Sequence, residues 1–110
     1  MGITYMVAAD FLENVKFGDL LKVDYPMIVN QVNHPDDTMK ISIYGTPKPN
    51  DRSKLLTKVF CGKCFALYLG EFSKSKKNQI KSRAKVIVTN ELGELVTGWV
   101  EIVTLQKVEL

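Results

Sequence analysis

Histidine and cysteine are almost missing from this chain: His34, Cys61 and Cys64 are all there are among 110 residues. That scarcity limits the available chemistry. A structural zinc needs four ligands, and His34 with one C-x-x-C pair, Cys61-Gly62-Lys63-Cys64, leaves the set open unless a carboxylate or a second chain completes it. No metal and no cofactor are therefore expected. The chain also has no G-x-S-x-G, no phosphate-binding glycine loop and no H-E-x-x-H, so no nucleophile, base or metal set argues for an enzyme. A redox role for the thiols would place C-x-x-C at a helix N-terminus in a βαβ unit, whereas the residues after Cys64 read as strand. Flanked by Phe60 and Phe65, the thiols read more simply as small core residues in or beside a strand.

Long apolar runs are missing too. The longest, Tyr25 to Val29 and Phe65 to Leu69, reach about five residues, where roughly 20 are needed to cross a bilayer. No membrane association is expected. The opening Met1 to Ala9 has no basic region before its apolar residues and meets Asp10 at once, which argues against a cleaved secretion signal. Met6 stands where N-myristoylation of Gly2 would want Ser or Thr. The expectation is an intracellular, cytoplasmic protein.

What is present suits one domain, residues 1–110, with 45% hydrophobic and 25% charged residues, enough to build one core. Within the opening Ala8 to Leu21, the spacing of Phe11, Leu12 and Val15 permits one short helix with Asp10 as its cap, and Phe17-Gly18-Asp19 then interrupts the pattern. From Leu20 the pattern alternates as a strand up to Pro26, and Met27 to Val32 extends it. The turn formers Asn33 to Thr38 then lead into the strand Met39 to Tyr44. His34, beside Pro35, reads as a solvated turn residue. Gly45 to Lys54 has no apolar anchor and reads as an exposed, mobile loop. Leu55 to Phe60 and Phe65 to Leu69 read as strands, the second buried and closed by Gly70. The clearest unit is the hairpin Ala84–Thr89 and Glu94–Val100, whose turn Asn90 to Gly93 supplies a residue able to take φ > 0. Glu101 to Leu105 adds a short strand or a helical turn. Trp99 reads as core or half-buried. The predicted class is all-β, a small antiparallel barrel or sandwich of about six strands with a short N-terminal helix.

One kind of charge is absent from one place. Between Phe72 and Asn90 there is no carboxylate, while Lys74, Lys76, Lys77, Lys81, Arg83 and Lys85 supply six positive charges. The chain's formal charge is +3, so without these six it would stand at −3. Basicity concentrated in this way points to an anionic partner. A loop this polar is expected to stay in water, because burying unpaired charge is prohibitive. With lysine outnumbering arginine, contacts to DNA or RNA would be directed at the backbone, with Tyr68, Phe72 or Trp99 as stacking platforms and Lys63 nearby. The bland alternative is a solvated connection whose lysines keep an edge strand from pairing with other chains.

Three stretches carry a resemblance: Val15-Lys16-Phe17-Gly18-Asp19-Leu20-Leu21-Lys22-Val23, Gly62-Lys63-Cys64-Phe65-Ala66-Leu67-Tyr68-Leu69-Gly70 and Leu92-Gly93-Glu94-Leu95-Val96-Thr97-Gly98-Trp99-Val100. Together they resemble the small barrels of the Tudor, KOW and Src-homology type. Residues 24 to 58 depart from that pattern as an insertion, and no methyl-lysine cage or proline-peptide groove can be assigned. The size and composition also resemble small accessory proteins of bacteriophages. The resemblance implies binding of RNA, DNA or protein tails through strand faces and loops. The leading expectation is a non-enzymatic module whose basic loop contacts nucleic acid or another polyanion. The alternative is a protein-interaction or regulatory factor, viral and acting on a host protein, that uses a strand edge or the loop 45–54.

Overall fold

Burial alternates along most of the strands, as it must when one face of a sheet meets a core and the other meets water. The computed structural model describes residues 7–24 and 40–108. Within them a helix, α1 (Ala8–Asn14), precedes seven strands: β1 (Leu20–Val23), β2 (Lys40–Tyr44), β3 (Leu55–Phe60), β4 (Cys64–Ser73), β5 (Arg83–Thr89), β6 (Leu95–Glu101) and β7 (Leu105–Lys107). They form one sheet in the order β3-β2-β6-β5-β4-β1-β7, and every pairing is antiparallel. The all-β class is as expected, with Leu105–Lys107 making a seventh strand after a 3-10 turn at Ile102–Thr104. The extension at Met27 to Val32, the turn at Asn33 to Thr38 and His34 lie outside the described residues.

The core draws Val59 from one end of the sheet and Leu105 from the other into a single cluster, so the sheet curls around its inner face. Among the described residues β3 and β7 are its two ends and do not pair. α1 supplies Phe11, fully buried, which meets Tyr68 edge-on at 5.1 Å and stacks with Phe72 at 5.3 Å. This apolar anchor, worth about 1.5–3 kcal/mol of transfer free energy, holds so short a helix in place. The helix ends at Asn14, ahead of the interruption expected at Phe17-Gly18-Asp19, and β1 starts at Leu20 as expected. The Asp19 carboxylate accepts from Lys16 N, Asp19 N donates back to Lys16 O, and Gly18 takes φ +88°, so a turn wins over continued helix. Asp10 does not cap α1; Val7 occupies the cap position, and Asp10 sits in the first turn.

β4 does not end at Gly70. Gly70, at φ +86°, lies within the register shift between Tyr68 and Phe72, and the bulged strand continues to Ser73. Nor is β4 buried on both faces. Cys64, Ala66 and Tyr68 point inward, while Phe65 and Leu67 are 52% and 39% exposed. Leu67 faces Leu20 on one side and Ile87 on the other, so an apolar row crosses the outer face of β1, β4 and β5. The hairpin β5–β6 forms as expected, with Gly93 at φ +79° and Asn90 Oδ1 accepting from Leu92 N and Glu94 N. Trp99 is half-buried. Cys64 belongs to the core and Cys61 packs against it, its thiol 2.9 Å from Asp24 Oδ1.

β2 joins the sheet through a single registered pair, Tyr44 opposite Trp99, and crosses β6 at Gly98. A Cβ there would lie 2.7 Å from Ile43 Cγ2 and 2.8 Å from Tyr44 O. Gly98→Ala is therefore expected to cost about 1–3 kcal/mol in urea unfolding. An unchanged midpoint would show that the two strands are not in close contact. Burial raises the Cys64 thiol above its ordinary 9.0, and burial followed by the nearby Glu71 charge raises the Tyr68 hydroxyl above 10.0. Both folded-state values exceed the unfolded ones, so their contribution is intact below pH 9 and is lost as the pH rises through that range. Unfolding at pH 7 and pH 10.5 is expected to show lower stability at the higher pH, a difference that shrinks in Cys64→Ala.

Candidate nucleic-acid interface

The basic segment leaves the sheet at Ser73 and re-enters it at Arg83. Its neck is closed by two serines that sequence reading treats as solvated. Ser75 and Ser82 are 3% and 0% exposed. Ser75 N donates to Ser82 Oγ at 2.9 Å, Asn78 N donates to Ser75 Oγ at 3.3 Å, and Ile102 N donates to Ser82 O at 2.9 Å. Asn78 Oδ1 accepts from Ile80 N and caps a 3-10 turn at Gln79–Lys81. The segment is thus a short arm with a hydrogen-bonded base, and Lys74, Lys76 and Lys77 stand exposed on it.

The six cations divide into three groups. Lys74, Lys76 and Lys77 face solvent. Lys81 and Lys85 are half-buried at the arm's base and meet the protein's own carboxylates: Lys81 Nζ lies 3.6 Å from Glu101 Oε1, and Lys85 Nζ lies 3.0 Å from Glu71 Oε2. The more exposed Lys85–Glu71 pair contributes about 0–1 kcal/mol, whereas Glu101 is largely buried and would lose its cation if Lys81 moved away. Arg83 departs from the expectation that every one of these charges stays in water.

Arg83 is 0% exposed. Its Nη1 donates to Thr46 O at 3.0 Å, its Nη2 donates to Asp51 O at 2.9 Å, and its guanidinium lies over the Tyr44 ring at 4.0 Å. The planar fork suits two carbonyls at once, and the ring accepts a weakly hydrated cation, which offsets much of the cost of leaving water. Burial lowers the guanidinium pKa, and the nearby Glu101 opposes that shift. Arg83 Nε and Glu101 Oε2, on cross-strand partner residues, are buried without hydrogen-bond partners. The Pro- and Asn-rich stretch 45–54 is consequently tied to the sheet at Thr46 and Asp51, where sequence reading expects a mobile loop. Asp51 Oδ1 also accepts from Ser53 N and Oγ, which holds the Asp51 carboxyl below its ordinary value.

The aromatic residues named as stacking platforms are largely committed elsewhere. Tyr68 is buried against Phe11, and Phe72 stacks on Phe11. Lys63 lies at the β3–β4 turn, with its ammonium 5.9 Å from the Phe60 ring. Among the described residues no three His, Cys, Asp or Glu side chains gather where they could hold a metal, and no helix is long and apolar enough to cross a membrane. Comparison with protein-family models, with curated proteins and with solved structures finds no match.

The commitments of Arg83 make it the structural member of the basic run. Arg83→Ala would leave two carbonyls without their donors and open a cavity, and is expected to cost roughly 2–4 kcal/mol while speeding amide exchange across 46–53. Arg83→Lys, which lacks the fork, should restore little. Lys74→Gln should stay within about 0.5 kcal/mol of the parent protein. Equal stabilities for Arg83→Ala and Lys74→Gln would contradict this division.

Proposed function

We propose that this chain is a non-enzymatic binding module that holds nucleic acid, DNA or RNA, through the arm carrying Lys74, Lys76 and Lys77. The observation that carries the reading is the contrast between arm and base. Three ammonium groups project from a neck fixed by buried serines, with no carboxylate of the chain against them among the described residues. A hydrogen-bonded base limits the entropy lost when the arm engages a partner. Lysine presents point charges to phosphates and reads no base edge, so binding follows the backbone and weakens with salt as counterions return. Lys81 and Lys85 stay with Glu101 and Glu71 when the backbone offers only internal phosphodiesters. Arg83 takes no part, because its donors are turned inward. The resemblance to Tudor, KOW and Src-homology barrels fits a module that binds through loops and strand faces, and the reading extends to a cytoplasmic accessory protein of a bacteriophage.

A second reading, a protein-interaction factor, draws on the row Leu20, Leu67 and Ile87 with Phe65 beside it. Exposed apolar residues gathered on one sheet face are a feature of interaction surfaces. That binding would persist at high salt and be removed by Leu67→Glu.

The polyanion reading is tested by fluorescence anisotropy with labelled single- and double-stranded oligonucleotides at low salt. Replacing Lys74, Lys76 and Lys77 together by glutamine is expected to abolish binding while leaving the unfolding midpoint unchanged. Undiminished binding by this folded variant would reject the arm as the contact.

A further inference from the structure

Beside the base of the arm lies a cleft of about 130 Å³, large enough for a group of several heavy atoms. Four separate parts of the chain converge on it: Lys40, Ser42 and Tyr44 from β2, Arg52 from the loop 45–54, Lys81 from the 3-10 turn and Glu101 from β6. Three cations and one carboxylate give this lining a formal charge of +2, and the hydroxyls of Ser42 and Tyr44 add donors that suit an anion. Two of the cations have carboxylates near them: Lys40 Nζ lies 2.7 Å from Glu91 Oε1, and Lys81 lies 3.6 Å from Glu101. Arg52 is exposed, and among the described residues no hydrogen bond or ion pair ties its guanidinium. Its backbone is placed by Arg83, which holds the carbonyl of the preceding residue, Asp51.

We propose that this cleft seats the terminal phosphate monoester of a nucleic-acid strand whose backbone then passes along the lysine arm. The inference rests on the nucleic-acid reading and adds to it where a strand end is held. Donor number and access select the monoester. A terminal phosphate carries about −1.5 to −2 at neutral pH and three acceptor oxygens, which suits a recess where the exposed Arg52 fork and several further donors converge. An internal diester carries one charge and is flanked by sugars on both sides, so it suits the open arm better than a recess. Arg52 is the discriminating contact. Lys81 links the two surfaces, because it belongs to both the arm and the cleft.

The test compares three versions of one internally labelled single-stranded oligonucleotide: hydroxyl at both ends, phosphate at the 5′ end, and phosphate at the 3′ end. One phosphorylated form is expected to bind about tenfold more tightly than the hydroxyl form, the scale of one or two added charge-assisted hydrogen bonds. Millimolar inorganic phosphate should erase that gain. Arg52→Gln, a change at an exposed side chain, and Ser42→Phe, which fills the recess, should each remove the gain and keep the residual affinity. The triple glutamine variant of the arm should weaken all three forms and preserve their ratio if any binding is left. Equal affinity for phosphate and hydroxyl ends, or a gain that survives both cleft variants, overturns the proposal. If no oligonucleotide binds, the arm reading fails separately. Titration with inorganic phosphate then decides the cleft by amide chemical shifts: saturable changes confined to residues 40–44, 52 and 81 support it, and their absence overturns it.

Discussion

The Arg83 guanidinium, withdrawn from water and shared among two carbonyls and an aromatic ring, is the interaction on which the arrangement of this surface depends. It stands at the first residue of β5, where the lysine-rich arm rejoins the sheet, and reaches the loop 45–54 that sequence order places more than thirty residues earlier. A buried charge carries a desolvation cost of several kcal/mol, and neutral acceptors offset it only when the geometry is good. Here the fork satisfies Thr46 O and Asp51 O together. The loop is thereby fixed over one end of the sheet, Tyr44 is covered, and Arg52 is placed beside the cleft.

Around that fixed point the positive charges of one short segment have three fates. Lys74, Lys76 and Lys77 stand out on an arm whose neck is closed by Ser75 and Ser82. Lys81 and Lys85 lie against Glu101 and Glu71. Arg83 builds structure. Counting charge in the sequence overstates the field offered to a partner, because the local balance includes carboxylates brought in by sheet register. Glu101 enters because it sits opposite Arg83 in the β5–β6 pairing, and Glu71 because the bulge at Gly70 carries β4 onward beside Lys85.

Much of the fold was legible because two-residue periodicity and turn chemistry are local. The β5–β6 hairpin, the strands at 40–44 and 55–60 and the inward Cys64 all follow from alternation and from glycine or asparagine at turns. The misreadings were non-local or were cases of competing local signals. Asp10 looks like the cap of α1, yet Val7 holds that position and Asp10 sits in the first turn. Phe65 and Leu67 look buried in sequence, yet strand alternation puts them on the outer face. The site was legible only in part. Lysines without neighbouring carboxylates marked the arm, but the burial of Arg83 depends on Thr46, Asp51 and Tyr44, and the cleft depends on Lys40 and Arg52. No spacing in the sequence links those residues. One clue was present: a single arginine among five lysines, the side chain best suited to grip two carbonyls.

The central claim is that three lysines of the arm, and not the whole basic run, meet the phosphate backbone. The salt dependence of affinity for a single-stranded oligonucleotide with hydroxyl ends counts them directly. Three engaged phosphates give a slope of log K against log salt of about −2, whereas all six charges would give about −4. A slope near −2 is the expected result; a slope near zero, or one near −4, would contradict the account.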